Sequence, residues 1–148
     1  MAWPPPGGSS SVRGAAGPGG EPRMELNDLE RAVLDKLFAG DHPSFPALRA
    51  QVERVRVLER TFSGVGFFSD LIVPDDVPPA QLGKDAVWFG DVFADFDGLA
   101  HGATFVVRIA EGRLEMLEGS TVDEPWPSEG TPFRLRYEVE PRQLQALD

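Results

Sequence analysis

The chain has 148 residues, of which 41% are hydrophobic and 26% charged, a balance that suits one globular domain. It has no cysteine, which excludes disulfides, thiolate metal sites and cysteine nucleophiles. Its net charge of −10 repels phosphate backbones, so we expect no nucleic-acid partner. No stretch has the roughly 20 apolar residues of a membrane span, and the N-terminus lacks the apolar segment of a secretory signal. We therefore expect a cytoplasmic protein with no membrane partner.

The acidic charge leaves two interpretations open. It attracts a basic protein partner, or it belongs to a solvated surface that has no partner. The basic residues offer no competing patch, because Glu53 and Glu59 interrupt the cluster between Arg49 and Arg60. The sequence does not indicate an oligomeric state.

The N-terminal segment differs in composition from the rest of the chain. Residues 1–23 are rich in Gly, Pro and Ser and are predicted to be a disordered tail. Residues 24–148 are predicted to form a single α+β domain. Either Met24 is the natural start and the tail is an upstream extension, or the tail is a Pro-rich recognition arm.

Two amphipathic helices are predicted at the start of the domain. Asn27 and Glu30 have the spacing of a capping box, and apolar residues follow at helical intervals until Gly40. A second, shorter helix is predicted from near Ser44 to Glu53, with Pro46 in its first turn.

The apolar pattern changes to an alternation after these helices, which predicts strands. The extended segments cover residues 54–62, 65–73, 87–96, 103–110, 113–120 and 133–140. Because the helices precede the strands, we predict an α+β fold in which the N-terminal helices pack on an antiparallel β-meander of five or six strands.

The strongest hairpin signal is the Glu111-Gly112 turn. Pairing across this turn places Ile109 opposite Leu114 and Val107 opposite Met116, so that both pairs share one apolar face. The same register places Glu118 opposite Phe105 on that face.

Segment 87–96 has a second pattern with consequences for function. Its even positions, from Trp88 to Phe96, form one apolar face. The carboxylates of Asp91 and Asp95 then project from the same side as Phe89 and Phe93.

Three residues are candidates for catalysis. Asp91 between aromatic rings would be desolvated, which raises the pKa of a general acid or base; alternatively, its side of the strand faces water. Glu118 is either a structural anchor or a catalytic acid, and His101 either bonds nearby backbone or acts as a proton shuttle. Together they would form a small-molecule-binding or hydrolytic site on the sheet, provided that they converge beside a pocket.

Cofactor and metal signals are weak. Gly64-Val65-Gly66 lacks the third glycine and the following helix of a dinucleotide site, so it predicts a bend in the chain. His42 and His101 are far apart and lack a zinc-ligand spacing. We therefore expect no cofactor and no metal.

The candidate binding residues lie in two acidic loops. Trp126 is held stiffly between two prolines, and it either contacts a partner or folds back as a lid on the sheet. The candidates are Trp126, Asp123, Glu124, Asp75 and Asp76.

Three stretches carry a resemblance to a known group. Phe62-Ser-Gly-Val-Gly-Phe-Phe68, the hairpin from His101-Gly-Ala-Thr-Phe105 to Leu117-Glu-Gly119, and Asp123-Glu-Pro-Trp-Pro127 resemble a family of small bacterial proteins with no established function. The resemblance covers most of residues 24–148. It implies a bacterial origin and one compact domain, and it carries over no catalytic residue or cofactor.

The sequence therefore favours a non-enzymatic, acidic protein-binding module. By analogy of size and charge alone, such a module neutralises a basic partner as the immunity proteins of bacterial toxin systems do. The alternative is the site on the sheet that uses Asp91, Glu118 and His101.

Overall fold

The computed structural model describes residues 23–148, so the predicted disorder of segment 1–22 lies outside the described residues. The described chain has an α+β fold with two helices and a seven-stranded antiparallel sheet. A 3₁₀ helix at Gln145–Leu147 follows the last strand. The elements are α1 (Asp28–Leu37), α2 (Phe45–Arg54), β1 (Arg56–Phe62), β2 (Gly66–Ile72), β3 (Ala86–Phe89), β4 (Val92–Phe96), β5 (Ala103–Ala110), β6 (Arg113–Thr121) and β7 (Phe133–Tyr137).

Both helices begin as the sequence predicts. The side chain of Asn27 accepts from the backbone N–H of Glu30 at 2.8 Å, and the Glu30 carboxylate accepts from the backbone N–H of Asn27 at 2.8 Å, which confirms the capping box. Pro46 lies in the first turn of α2, where its missing N–H leaves no hydrogen bond unmade.

The order of the strands differs from a meander. The sheet runs β1-β2-β6-β5-β4-β7, and β3 also pairs with β5. β6 therefore lies between β2 and β5, although three strands separate it from β2 in the sequence. The predicted meander of five or six strands is wrong in both strand count and connectivity.

The seventh strand arises because segment 87–96 is divided. β3 and β4 both pair with β5, but the register shifts by one residue between them. The shift occurs beside Gly90, where a Cβ atom would collide with the carbonyl oxygen of Phe105. Glycine is the residue that allows two backbones to approach so closely.

This shift reverses the alternation of side chains. Odd positions are buried in β3, and even positions are buried in β4. The predicted apolar face of even positions is therefore wrong for β3, because Trp88 is 53% exposed and Phe89 is buried. Phe89 and Phe93, predicted to share a side, lie on opposite faces of the sheet.

The β5–β6 hairpin keeps its predicted turn but changes register farther along. Glu111 and Gly112 both have positive φ, as a type I′ turn requires, and Ile109 lies opposite Leu114 as predicted. A bulge beyond this pair places Val107 opposite Leu117, not Met116. Because of the extra residue, each later side chain of β6 points to the face of the sheet opposite to the predicted one.

A buried carboxylate joins α1 to the sheet. Glu30 has no exposed surface. Its carboxylate accepts from Nε and Nη2 of Arg60 on β1, at 2.8 and 2.7 Å, and from the hydroxyl of Ser69 on β2. A buried charge needs such partners, because an unpaired one costs several kcal/mol.

A buried amide joins α2 to the β5–β6 hairpin in a similar way. Gln51 donates from Nε2 to the carbonyl oxygen of Gly112 at 2.7 Å, and its Oε1 accepts from the backbone N–H of Leu114 at 3.0 Å. Helix α2 is thereby held against the tip of the hairpin.

We expect replacement of Glu30 by alanine to lower the free energy of unfolding by about 3–5 kcal/mol, because Arg60 would keep a charge with no carboxylate partner. Arg60 is only 16% exposed. Urea unfolding followed by circular dichroism measures the change.

Asp76→Ala is the matched control, because it breaks an exposed ion pair with Arg54 and should cost less than about 1 kcal/mol. The double change Glu30→Leu, Arg60→Met should be milder than Glu30→Ala alone. A Glu30→Ala effect as small as the control would contradict the role of this pair.

Candidate functional site

Asp91, between β3 and β4, is part of an ion pair with Arg142. Arg142 donates to both carboxylate oxygens of Asp91, at 2.7 and 3.1 Å, and also to the carbonyl oxygen of Leu37 at the end of α1. The Arg142 guanidinium lies 4.1 Å from the ring centroid of Tyr137. Through Arg142, Asp91 thus helps to hold the C-terminal end of α1 in place.

The same surroundings shift the pKa of two neighbouring groups. Burial raises the pKa of Tyr137, and burial together with the charge of Asp91 raises the pKa of Glu138.

His101 lies in the turn between β4 and β5, at the other end of β4 from Asp91. A strand of five residues spans about 16 Å, so the two side chains are far apart. The backbone amides of Ala100 and His101 both donate to the carboxylate of Glu124, at 2.8 Å each. The backbone of His101 therefore helps to anchor the loop that carries Glu124, and its side chain is exposed to solvent.

Glu118 lies on the face of the sheet opposite the helices. The bulge in β6 places it opposite Val106, so the predicted pairing with Phe105 on the core face is wrong. Its neighbour Leu117 is fully buried, and the alternation of the strand directs Glu118 the other way. The structure does not bring the three candidate catalytic residues together.

A cavity of about 520 Å³ lies elsewhere in the domain, between the N-terminus of α1 and the loop before β7. Its volume is within the range of small-molecule sites. None of the three candidate catalytic residues lines it. The lining residues are Asn27, Asp28, Leu29, Phe96 and residues 128–133.

Trp126 folds back onto the sheet, which is the second of the two alternatives for this residue. It is 7% exposed and packs edge-on against Phe67, Phe96 and Phe105, with ring centroids 5.2 to 6.3 Å away. Its indole Nε1 is buried with no hydrogen-bond partner. Trp126 is thus placed to stabilise the core, and its burial is at odds with direct contact to a partner.

The four acidic candidates divide into two groups. Asp76 pairs with Arg54 at 3.3 Å, and Glu124 binds the two amides described above. Asp75 and Asp123 are exposed, and their carboxylates have no hydrogen bond or ion pair within residues 23–148. Asp75 and Asp123 are thus the two of the four whose carboxylates are unpaired within residues 23–148.

The side chains on the far side of the sheet from the helices form what we call the outer face. Two large apolar side chains are exposed there, Phe68 at 38% and Trp88 at 53%. No described helix contacts this face. By strand register and alternation it includes Glu59, Thr61, Phe68, Asp70, Trp88, Phe93, Asp95, Thr104, Val106, Arg108, Glu115, Met116, Glu118, Ser120, Arg134 and Arg136.

Two arginines on this face stack on aromatic rings. Arg108 lies over the ring of Trp88, 5.5 Å from its centroid, and pairs with Glu115. The second, Arg136 of β7, lies 4.2 Å from the ring centroid of Phe93 and pairs with Asp95 at 3.0 Å. In both cases a ring and a carboxylate hold one guanidinium, a combination of cation–π attraction and ion pairing.

The described arginines and carboxylates differ in how many of them have a bonding partner. Every described arginine except Arg23 bonds to a carboxylate or a backbone carbonyl. A hydrogen bond to a neutral carbonyl oxygen, as for Arg49 and Arg113, leaves the positive charge in place, but the carboxylates with no hydrogen bond or ion pair within residues 23–148 outnumber the basic side chains that lack a carboxylate partner there. These carboxylates are Glu25, Asp28, Asp41, Asp70, Asp75, Asp85, Glu111, Glu118, Asp123, Glu129, Glu138 and Glu140.

Neither described helix has the length and apolar composition needed to cross a lipid bilayer. No group of three or more His, Asp or Glu side chains within this range is placed to hold a metal ion.

Comparison of the chain with protein-family models, with curated proteins and with solved structures finds no match in any of the three. The resemblance to a bacterial family therefore stays an expectation from the sequence.

We expect Glu124→Gln to lower the melting temperature near neutral pH. The amides of Ala100 and His101 hold the pKa of Glu124 below its ordinary value of 4.5, because they bond better to the charged carboxylate. This stabilisation is complete above pH 4.5 and is lost as the pH falls through the lowered pKa. The difference between wild type and variant should therefore shrink in acid.

Thermal unfolding between about pH 7 and pH 3 measures this difference. Glu129→Gln is the control, because Glu129 has no hydrogen bond or ion pair within residues 23–148 and should show no such pH dependence. A Glu124→Gln difference that stays constant across this range would rule out the proposed anchor.

We expect Trp126→Ala to cost about 3–5 kcal/mol of unfolding free energy, since it removes a ring that three buried phenylalanines contact. Trp126→Phe should cost less than about 1.5 kcal/mol, because it also removes the buried N–H that has no partner. Urea denaturation of both variants measures the costs. Equal costs for the two variants would contradict this account of the indole.

Proposed function

We propose that this protein is an acidic, non-enzymatic module of the cytoplasm that binds a basic protein through its outer face. The observation that carries the proposal is the uncovered outer face, where Phe68 is exposed opposite Glu118, and Trp88 is exposed beside Arg108, which pairs with Glu115. Exposed aromatic residues with a polar surround are typical of protein-binding surfaces. The proposal places contact on the sheet and not in the Trp126 loop.

The charge favours a basic partner over a second copy of the chain. Two chains that each carry a net charge of −10 repel one another. A basic protein would be attracted over a distance of about 10 Å, the screening length at 0.1 M salt, which favours rapid association. Such attraction predicts that binding weakens as salt is added.

The positions of the polar residues favour binding over catalysis. Asp91 is held by Arg142, the ring of His101 lies at the far end of β4, and Glu118 is on the outer face. A hydrolytic site needs these groups within hydrogen-bond reach of one substrate. The same acidic, uncovered surface suits a role like that of a toxin-neutralising immunity protein, whose partner would be a basic toxin.

Affinity capture from a lysate of the source organism tests the proposal. The wild type is expected to retain at least one basic protein, identified by mass spectrometry. The double variant Phe68→Ser, Trp88→Ser should lose that protein, because it removes both exposed rings from the outer face and leaves the net charge unchanged. Retention should also fall steeply between about 50 and 200 mM salt.

The control is the double variant Val122→Ser, Val139→Ser, which removes two exposed apolar side chains that lie outside the strands. It should retain the same partner as the wild type. Capture of acidic proteins only, an absence of any captured protein, or equal loss in both double variants would each count against the proposal.

A further inference from the structure

We propose that Phe68 and Glu118 together bind an arginine side chain of the partner. This inference rests on the proposed function, because it concerns the centre of the same outer face. It assigns the partner a specific contact, a guanidinium group that stacks on the Phe68 ring and pairs with the Glu118 carboxylate.

The structure contains two examples of this arrangement on the same face. Each joins an aromatic ring, an arginine and a carboxylate, as in Trp88 with Arg108 and Glu115. In the second example, Arg136 lies over Phe93 and donates from Nε to Asp95. The outer face therefore holds a guanidinium by a ring and a carboxylate at both of these places.

Phe68 and Glu118 repeat two of these three parts. They lie directly opposite each other in the β2–β6 pairing, on adjacent strands. Side chains at directly opposed positions have Cβ atoms about 5 Å apart, close enough to contact one ligand group. No arginine or lysine within residues 23–148 stacks on Phe68 or pairs with Glu118.

The surroundings of Glu118 strengthen its attraction for a cation. Val106 lies opposite it on the other side, so the carboxylate is flanked by two apolar side chains, Phe68 and Val106. Glu118 is half-buried. Less water around an ion pair means weaker screening, so a cation bound here interacts more strongly than at a fully exposed glutamate.

Arginine fits this site better than lysine. A planar guanidinium stacks on a ring and can still donate to a carboxylate at its edge, whereas an ammonium acts as a point charge. Both internal examples on the outer face use arginine. The described lysine that lies over a ring, Lys36 over Tyr137, is placed at the end of α1 and not on this face.

An NMR titration with small probes tests the inference directly. The probes are N-acetyl-argininamide, its neutral isostere N-acetyl-citrullinamide, and N-acetyl-lysinamide, each added to the uniformly ¹⁵N-labelled full chain. The arginine probe should shift the amide signals of Phe68, Val106 and Glu118 and should bind about tenfold more tightly than citrulline, because only arginine pairs with the carboxylate. The lysine probe should bind with intermediate affinity.

Matched variants separate the site from general charge attraction. Glu118→Gln should weaken arginine binding about tenfold, whereas Glu111→Gln, which removes the same charge at the hairpin turn, should leave it unchanged. Phe68→Leu keeps an apolar side chain but removes the ring, and it should also weaken binding. The spectra show whether each variant is folded.

The outcomes distinguish this inference from the proposed function. Equal binding of arginine and citrulline by the wild type, or equal weakening by Glu118→Gln and Glu111→Gln, would overturn the arginine site. If a basic partner is still captured through the outer face, the proposed function stands without it. Failure to capture any basic partner would contradict the proposed function whatever the probes show.

Discussion

The buried carboxylate of Glu30 is the interaction on which the rest of the domain depends. It closes the capping box that begins α1, and it also binds Arg60 of β1 and Ser69 of β2. One side chain thus sets the position of the first helix against one edge of the sheet. Gln51 does the same for α2 at the β5–β6 turn. With both helices held on one face of the sheet by these polar contacts, the other face is left open.

The internal use of arginines has a consequence for the surface. Arg142 and Arg49 donate to carbonyl oxygens near the end of α1, and Arg60 binds Glu30 inside the domain. Arg60 and Arg142 are each paired with a carboxylate inside the domain, and they are therefore not available to balance the free carboxylates elsewhere. In the fold, the net negative charge of the sequence is therefore seen as described carboxylates without a partner, which outnumber the described basic side chains that lack a carboxylate.

Local sequence signals predicted the local structure well. The capping box of Asn27 and Glu30 and the Glu111-Gly112 turn each depend on residues close in the chain, and both are confirmed. Strand register was harder to predict, because a single bulge reverses all later side chains. The bulge in β6 moved Glu118 from the predicted core face to the outer face, and nothing in its immediate neighbours indicates that shift. The exposure of Trp88 could have been suspected from Gly90, a residue often found at strand irregularities.

Gly90 also shows how a protein surface can change without any new side chain. At this residue the alternation of the strand moves out of phase, so the ring of Trp88 faces solvent while the ring of Phe89 joins the core. A strand that kept its phase through residues 86–96 would present a different set of rings to the outside. The number of residues in the strand at this point, and not residue type alone, thus determines which side chains the sheet exposes to solvent. Insertion or loss of one residue here offers evolution a short route from one recognition surface to another.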